Sequence, residues 1–221
     1  MNSPQSRSYI PALKYHVLTR YYDCVVSLTT REKLFKSLLV KQVAPKGGQH
    51  LLDVGCGTGT LTQMLAQSES AVTITGLDAD LNALKRAKAK STILGKRVTF
   101  EQGYAQEMPF ETASFDIVVS SLFFHHLDQQ QKLEALKEIR RVLKPEGQLH
   151  IADWGKPTSM IQRSLFLIVQ CLDGFKTTQD SVEGVLPNII EEAGFTDIER
   201  GDCIPTPLGT IQLFQAKAVT I

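Results

Sequence analysis

Leu51-Leu52-Asp53-Val54-Gly55-Cys56-Gly57-Thr58-Gly59 is the stretch that decides the fold. Leu51 to Val54 reads as a short buried strand, and Leu61 to Gln67 reads as a helix. Between them the glycines let the backbone turn sharply and let a ligand approach with no Cβ in the way. A dinucleotide fingerprint needs Gly-x-Gly-x-x-Gly, and its last position here is Thr60. A P-loop would need a Gly-Lys-Ser/Thr ending, which is absent. The Gly-x-Gly-x-Gly loop therefore fits a nucleoside ligand without a pyrophosphate better than a dinucleotide. The plain alternative is a tight strand–helix turn. Asp78 ends the next strand, where a carboxylate can accept both hydroxyls of a ribose, or can simply sit at a helix start beside the N-cap candidate Asp80. Asp53, before the loop, could accept from a ligand ammonium or tie down the loop amides.

Outward from this loop, strand and helix signals alternate. Ala71 to Leu77, Arg97 to Gln102, Phe115 to Ser120 and Gln148 to Asp153 read as strands. Leu81 to Leu94 reads as a helix that stops near Gly95. Asp128 and Gln131 form a capping box for a helix with Leu133, Leu136, Ile139 and Leu143 on one stripe, ended by Pro145 and Gly147. Ser181 to Ala193 reads as a capped amphipathic helix, and Thr196 to Arg200 and Thr210 to Ala218 as two strands with only a loop between them. Tyr15 to Val43 looks helical, and Pro45, Gly47 and Gly48 break the chain after it.

This pattern predicts an α/β fold: a doubly wound, mostly parallel, seven-stranded Rossmann-like sheet with a C-terminal antiparallel hairpin and an N-terminal helical lid. A ligand is expected at the carboxyl ends of the strands. One domain is expected over residues 1–221. It divides into a lid (1–46), a cofactor-binding core (47–153), a substrate-side insertion (154–180) and a closing helix and hairpin (181–221).

The chain has 221 residues, with 24 Lys plus Arg against 23 Asp plus Glu. Its 43% hydrophobic content is that of an ordinary globular chain. The balanced charge argues against a duplex nucleic-acid binder. Cys24, Cys56, Cys171 and Cys203 are widely spaced, so neither a disulfide framework nor a structural zinc is expected. No apolar run approaches the roughly 20 residues that span a bilayer. A soluble, cytoplasmic protein is the expectation.

Further motifs lie in order along the chain: Gly76-Leu77-Asp78, Met108-Pro109-Phe110, Ser114-Phe115-Asp116-Ile117-Val118 and Leu143-Lys144-Pro145-Glu146-Gly147. Together with the glycine loop they resemble the class I S-adenosylmethionine-dependent methyltransferases, in the small-molecule branch that includes ubiquinone and menaquinone biosynthesis enzymes. The resemblance is strong over Leu51 to Asp153. It implies S-adenosylmethionine as cofactor and S-adenosylhomocysteine as product. By the same resemblance Asp53, Gly55, Cys56, Gly57 and Gly59 belong to the cofactor site, with Gly55, Cys56 and Gly57 along the methionine part. Asp78 would hold the ribose, Ala79 would lie against the adenine, and Ala105 and Gln106 would sit at the adenine edge. Ser120 and Ser121 would border the sulfonium. One position departs from the pattern. Tyr104 stands where the family has an acidic residue, so it stacks on the ring or simply packs, and Gln106 could supply the polar contact instead.

His125-His126 follows the fourth strand. Adjacent histidines in a strand-like stretch point opposite ways, so no shared metal is expected. Either could serve as a base at the transfer site, with Asp153 as a further candidate; a packed or capping histidine is the structural alternative. Tyr21 and Tyr22 lie in the lid and could box a sulfonium by cation–π attraction or pack within the helix. The lysines around Arg86 read as a solvated helix face. Met160 to Leu172 is apolar on nearly every side, as in a helix buried on two sides. It could wall a lipophilic substrate, pack in the core or form a homodimer face. Tyr22, Trp154 and Phe175 are the substrate-side candidates.

An Asn/Asp-Pro-Pro-Tyr/Phe motif would mark nucleic-acid amino methylation, but Ser120-Ser121-Leu122-Phe123 stands there. The expected function is thus methyl transfer to a small-molecule acceptor of quinone, lipid or secondary-metabolite type. The competing readings are a non-catalytic cofactor-binding scaffold, a protein-directed methyltransferase and a nicotinamide oxidoreductase, the last disfavoured by the glycine spacing.

Overall fold

β1 (His50–Val54) runs through the middle of a seven-stranded sheet, and four of its five residues are buried. A strand covered on both faces buries successive residues alike, which is why it shows no polar–apolar alternation even though it carries the buried Asp53. The computed structural model describes residues 30–219. The strands that follow are β2 (Thr73–Asp78), β3 (Val98–Gln102), β4 (Phe115–Ser121), β5 (Leu143–Gly155), β6 (Phe195–Thr206) and β7 (Gly209–Ala218). Their order in the sheet is β3-β2-β1-β4-β5-β7-β6. β1 to β5 pair parallel, and β7 pairs antiparallel with both β5 and β6. The order reverses between β1 and β4, so a crevice opens at their carboxyl ends.

Seven α-helices appear among the described residues: α1 (Glu32–Val43), α2 (Thr60–Ser68), α3 (Leu81–Ser91), α4 (Gln129–Val142), α5 (Met160–Asp173), α6 (Phe175–Glu183) and α7 (Leu186–Glu192). Two apolar clusters cover the two faces. One joins Phe35, Leu39, Leu65, Leu84, Phe100 and Phe166; the other joins Leu136, Ile139, Leu186, Ile190 and Phe195. Asp128 caps α4 as the sequence implies: its Oδ1 accepts the Gln131 amide, and Gln131 Oε1 accepts the Asp128 amide, both at 3.0 Å. Asp80 is the N-cap of α3, accepting from the amides of Asn82 and Ala83.

Several expectations are corrected. The helix expected over Ser181 to Ala193 is two helices, α6 and α7, because Gly184 turns left-handed (φ 72°) and Pro187 sits in the first turn of α7. The expected hairpin is longer than its apolar cores, since β6 continues to Thr206 through two irregularities in register. The helix over Met160 to Leu172 forms but is not buried on two sides. Only Phe166, Val169 and Gln170 are buried, while Met160, Ile161, Leu165, Leu167, Ile168 and Leu172 face outward. Of the N-terminal helical segment, α1 is seen; residues 15–29, with Tyr21 and Tyr22, lie outside the described residues.

Gly76 on β2 has a packing reason to be glycine. A Cβ there would stand 2.7 Å from the Phe100 ring and 2.9 Å from Cys56 Sγ, both in the core. Gly76→Ala is expected to cost about 1–3 kcal/mol of unfolding free energy by overpacking. Urea denaturation followed by circular dichroism measures it.

Candidate active site

The Leu77 carbonyl accepts two consecutive amides, Gly55 at 2.9 Å and Cys56 at 3.0 Å. The Gly57 amide then donates to Asp78 Oδ2 at 2.7 Å. These bonds strap the glycine loop across the tip of β2. Gly55 has φ 69°, and a Cβ there would collide with the Phe123 ring. At Gly57 (φ 54°) no heavy atom lies within 4 Å of the Cβ position, so the loop borders open space.

Asp78 faces this space. Its Oδ1 accepts the Asp80 amide at 2.8 Å. Burial raises its pKa although the Asp80 and Gly57 amides oppose the shift. A carboxylate offers about four acceptor positions, so two remain for a diol. The Gly103 amide donates to the Asp78 carbonyl at 3.1 Å, and Gln102 Nε2 donates to the Ala79 carbonyl at 3.2 Å. Ala79 and the turn through Tyr104, Ala105 and Gln106 therefore flank Asp78. Ala105 is buried, whereas Tyr104 is 46% exposed, so its side chain is not part of the core.

Of the two roles expected for Asp53, tying down the loop amides is not the one its contacts show. It is fully buried, and its Oδ2 accepts the Thr62 hydroxyl at 2.6 Å, so it ties β1 to α2 rather than to the loop amides. Its Oδ1 has no hydrogen-bond partner. Burial pushes its pKa up to about 6. Cys56 is buried as well; burial first, then Asp53 and Asp78, push its thiol up, so it stays protonated and is no nucleophile. Ser120 is buried and donates to the Val54 carbonyl at 2.9 Å, while Ser121 is half-buried at the strand end.

The histidine pair lies not in a strand but in a 3₁₀ turn, Phe124–His126, with ring centroids 4.0 Å apart. His125 is buried, its Nδ1 at 2.7 Å from Asp153 Oδ1. Asp153 Oδ2 accepts the amides of Phe123 (3.1 Å), Phe124 (2.7 Å) and His125 (3.4 Å). Neither His125 nor Asp153 is placed to take a substrate proton, because both are buried and engaged. His126 is the exposed member. Trp154 is buried edge-on to Phe166, whereas Phe175 is exposed at the start of α6, so the two do not form one wall. Tyr22 lies outside the described residues. Among the described residues no group of three His, Cys, Asp or Glu side chains could hold a metal. Phe123 and Thr62 were not among the predicted residues. The Phe123-Phe124 pair and a hydroxyl one turn into the helix were their only sequence signals.

An open glycine loop and a carboxylate with unused acceptor positions thus lie together at the end of β2, where a doubly wound sheet opens its crevice. The methyltransferase-domain family model matches residues 51–147. An uncharacterized methyltransferase of Synechocystis is 32% identical over 187 residues, spanning 85% of this chain and 84% of that protein. A demethylmenaquinone methyltransferase of Lactobacillus johnsonii is 37% identical over 134 residues, spanning 59% of this chain and 52% of that protein. Among solved structures, Haemonchus contortus phosphoethanolamine N-methyltransferase 2 in complex with S-adenosylmethionine superposes with a TM-score of 0.68 at 21% identity, over 84% of this chain and 52% of that one, which shows a shared fold. The chain belongs to the methyltransferase family. It is an S-adenosylmethionine-dependent enzyme.

Two expectations follow. Asp78→Ala should weaken S-adenosylhomocysteine binding about ten- to a hundredfold by isothermal titration, the worth of hydrogen bonds to a charged acceptor. Asp53 makes the folded state hold a proton more tightly than the unfolded chain does. Its contribution to stability is therefore fully present below about pH 4 and is lost as pH rises through about 6. Asp53→Asn should raise unfolding free energy by about 1–2 kcal/mol near pH 7.5, net of its unpartnered amide, with the gain gone near pH 4. Urea melts at the two pH values measure it.

Proposed function

We propose that the protein transfers the methyl group of S-adenosylmethionine to a lipophilic small molecule of quinone or lipid type. The observation that carries the acceptor class is the outward row Met160, Ile161, Leu165, Leu167, Ile168 and Leu172 on α5. This helix joins the tip of β5 to the closing elements. A large exposed apolar row marks a place where apolar matter docks. The demethylmenaquinone methyltransferase relatives support a quinol acceptor. A homodimer contact on the same row is a second reading, since the row is uncovered by any described residue. No helix among the described residues is long and apolar enough to cross a membrane.

The bound cofactor would supply a methyl on a sulfonium, whose neutral thioether leaving group needs no acid. Asp78 would take the ribose hydroxyls. Gly55, Cys56, Gly57 and Gly59 would follow the methionine part, with Ala79, Tyr104, Ala105 and Gln106 on the adenine side. Ser120 and Ser121 would border the sulfonium end. Asp53 would act from beneath, by fixing α2 against β1. His126 would accept the proton of an acceptor hydroxyl. Desolvation first, and then His125, lower its pKa while Asp153 opposes them; the imidazole is neutral at pH 7.

The test offers methyl-labelled S-adenosylmethionine with a short-chain demethylmenaquinol, phosphoethanolamine or adenosine. Label in the quinol supports the reading; label only in a polar acceptor overturns it. His126→Ala should lower kcat on the labelled acceptor about a hundredfold and leave S-adenosylhomocysteine affinity unchanged.

A further inference from the structure

We propose that His125 is a positioning residue that ties the end of α5 to the turn carrying Phe123 and His126, with Asp153 on one ring nitrogen and Asp173 on the other. The inference rests on the reading above, in which residues 154–180 face the acceptor.

His125 Nδ1 meets Asp153 Oδ1 at 2.7 Å, and Nε2 stands 3.9 Å from Asp173 Oδ2. All three side chains are at most 5% exposed. Asp153 sits at the end of β5, His125 in the turn after β4, and Asp173 is the last residue of α5. Next comes Gly174, whose φ of 101° forms the joint between α5 and α6. On the other side, the amide of Phe123 is held by Asp153 and its ring lies against Gly55. A chain of contacts thus runs from the cofactor loop to the joint of the apolar insertion.

The two halves of the link respond differently to a proton. Asp153 is ionised: burial would raise its pKa, but the charge and hydrogen bond of His125 and the Trp154 amide hold it below the usual carboxylate range. Nδ1 therefore keeps its hydrogen whether the ring is charged or neutral. In the charged ring Nε2–H attracts the Asp173 carboxylate. In the neutral ring Nε2 turns a lone pair toward that carboxylate, and the contact becomes repulsive. Deprotonation releases the α5 side and keeps the β5 side.

Four titratable groups face His125 among the described residues: Asp153 from β5, Asp173 from α5, Lys132 from α4 and His126 beside it. Lys132 is held away by Asp180 at 2.6 Å and the Thr177 carbonyl at 3.0 Å. Burial lowers the His125 pKa, but Asp153 and then Asp173 more than offset it, so the net shift is upward. With a raised folded-state pKa, the link is complete at low pH and is lost as pH rises through that value.

Hydrogen exchange of the full-length protein, without any acceptor, tests this at about pH 6 and about pH 9, after correction for intrinsic exchange. Protection of residues 170–178 should fall about tenfold at the higher pH, while β1 and β2 stay unchanged. Asp173→Asn should make this protection independent of pH and lower the His125 pKa in a proton NMR titration. His125→Gln should abolish the pH dependence too. A wild-type protein with equal protection at both pH values, or an Asp173→Asn protein that retains the pH dependence, overturns the proposal. Because no acceptor enters the experiment, failure of the quinol assay and failure of the link are told apart.

Discussion

When the Leu77 carbonyl accepts the amides of both Gly55 and Cys56, the chain cannot leave β1 straight; it must cross the tip of β2. That crossing brings the Gly57 amide onto Asp78 and points the start of α2 back along the sheet. It also leaves Gly55 as a floor on which Phe123 rests, so the end of β4 is positioned by the loop after β1. Both contacts need a bare α-carbon, one for its left-handed turn and one for the ring above it. The remaining features of the crevice follow from this one backbone route.

Three aspartates hang on the carboxyl edge of the sheet, and burial acts on them with different results. Asp153 is surrounded by amides and an imidazole, so it stays charged and organises a turn. Asp78 has two amides and a view of open space, which suits it to neutral hydroxyl donors. Asp53 has one hydroxyl donor and an unpartnered oxygen, and so holds its proton to unusually high pH. Position along a strand set where these residues are, and the count of donors around each set what it can do.

The sheet was legible because buried parallel strands write themselves as short, mostly apolar runs without alternation, as in Leu51–Val54 and Phe115–Ser120. The Asp128 capping box was legible because it is local. The parts that were misread depend on contacts distant in sequence. Asp53 and Asp153 look alike on the page, and only the positions of Thr62 and the Phe123–His125 amides separate their roles. His125 and His126 could not be assigned while the turn that orients them was read as strand. The division of residues 181–193 by Gly184 was visible in principle, since a glycine followed closely by proline is a stop and a start. The outward apolar row of α5 was hidden by its own composition: a helix apolar all round does not say which side is covered.

β7 enters the sheet between two strands made earlier, β5 and β6. Until it arrives, the long β5 presents a bare edge of backbone donors and acceptors, including the segment that ends in Asp153 and Trp154. A growing chain on the ribosome therefore carries this open edge from the emergence of β5 until β7 is made, the kind of edge that recruits other strands. The residues that shape the turn at the crevice are thus pinned from outside only when β7 has slotted home, which makes the site depend on a strand made well after it.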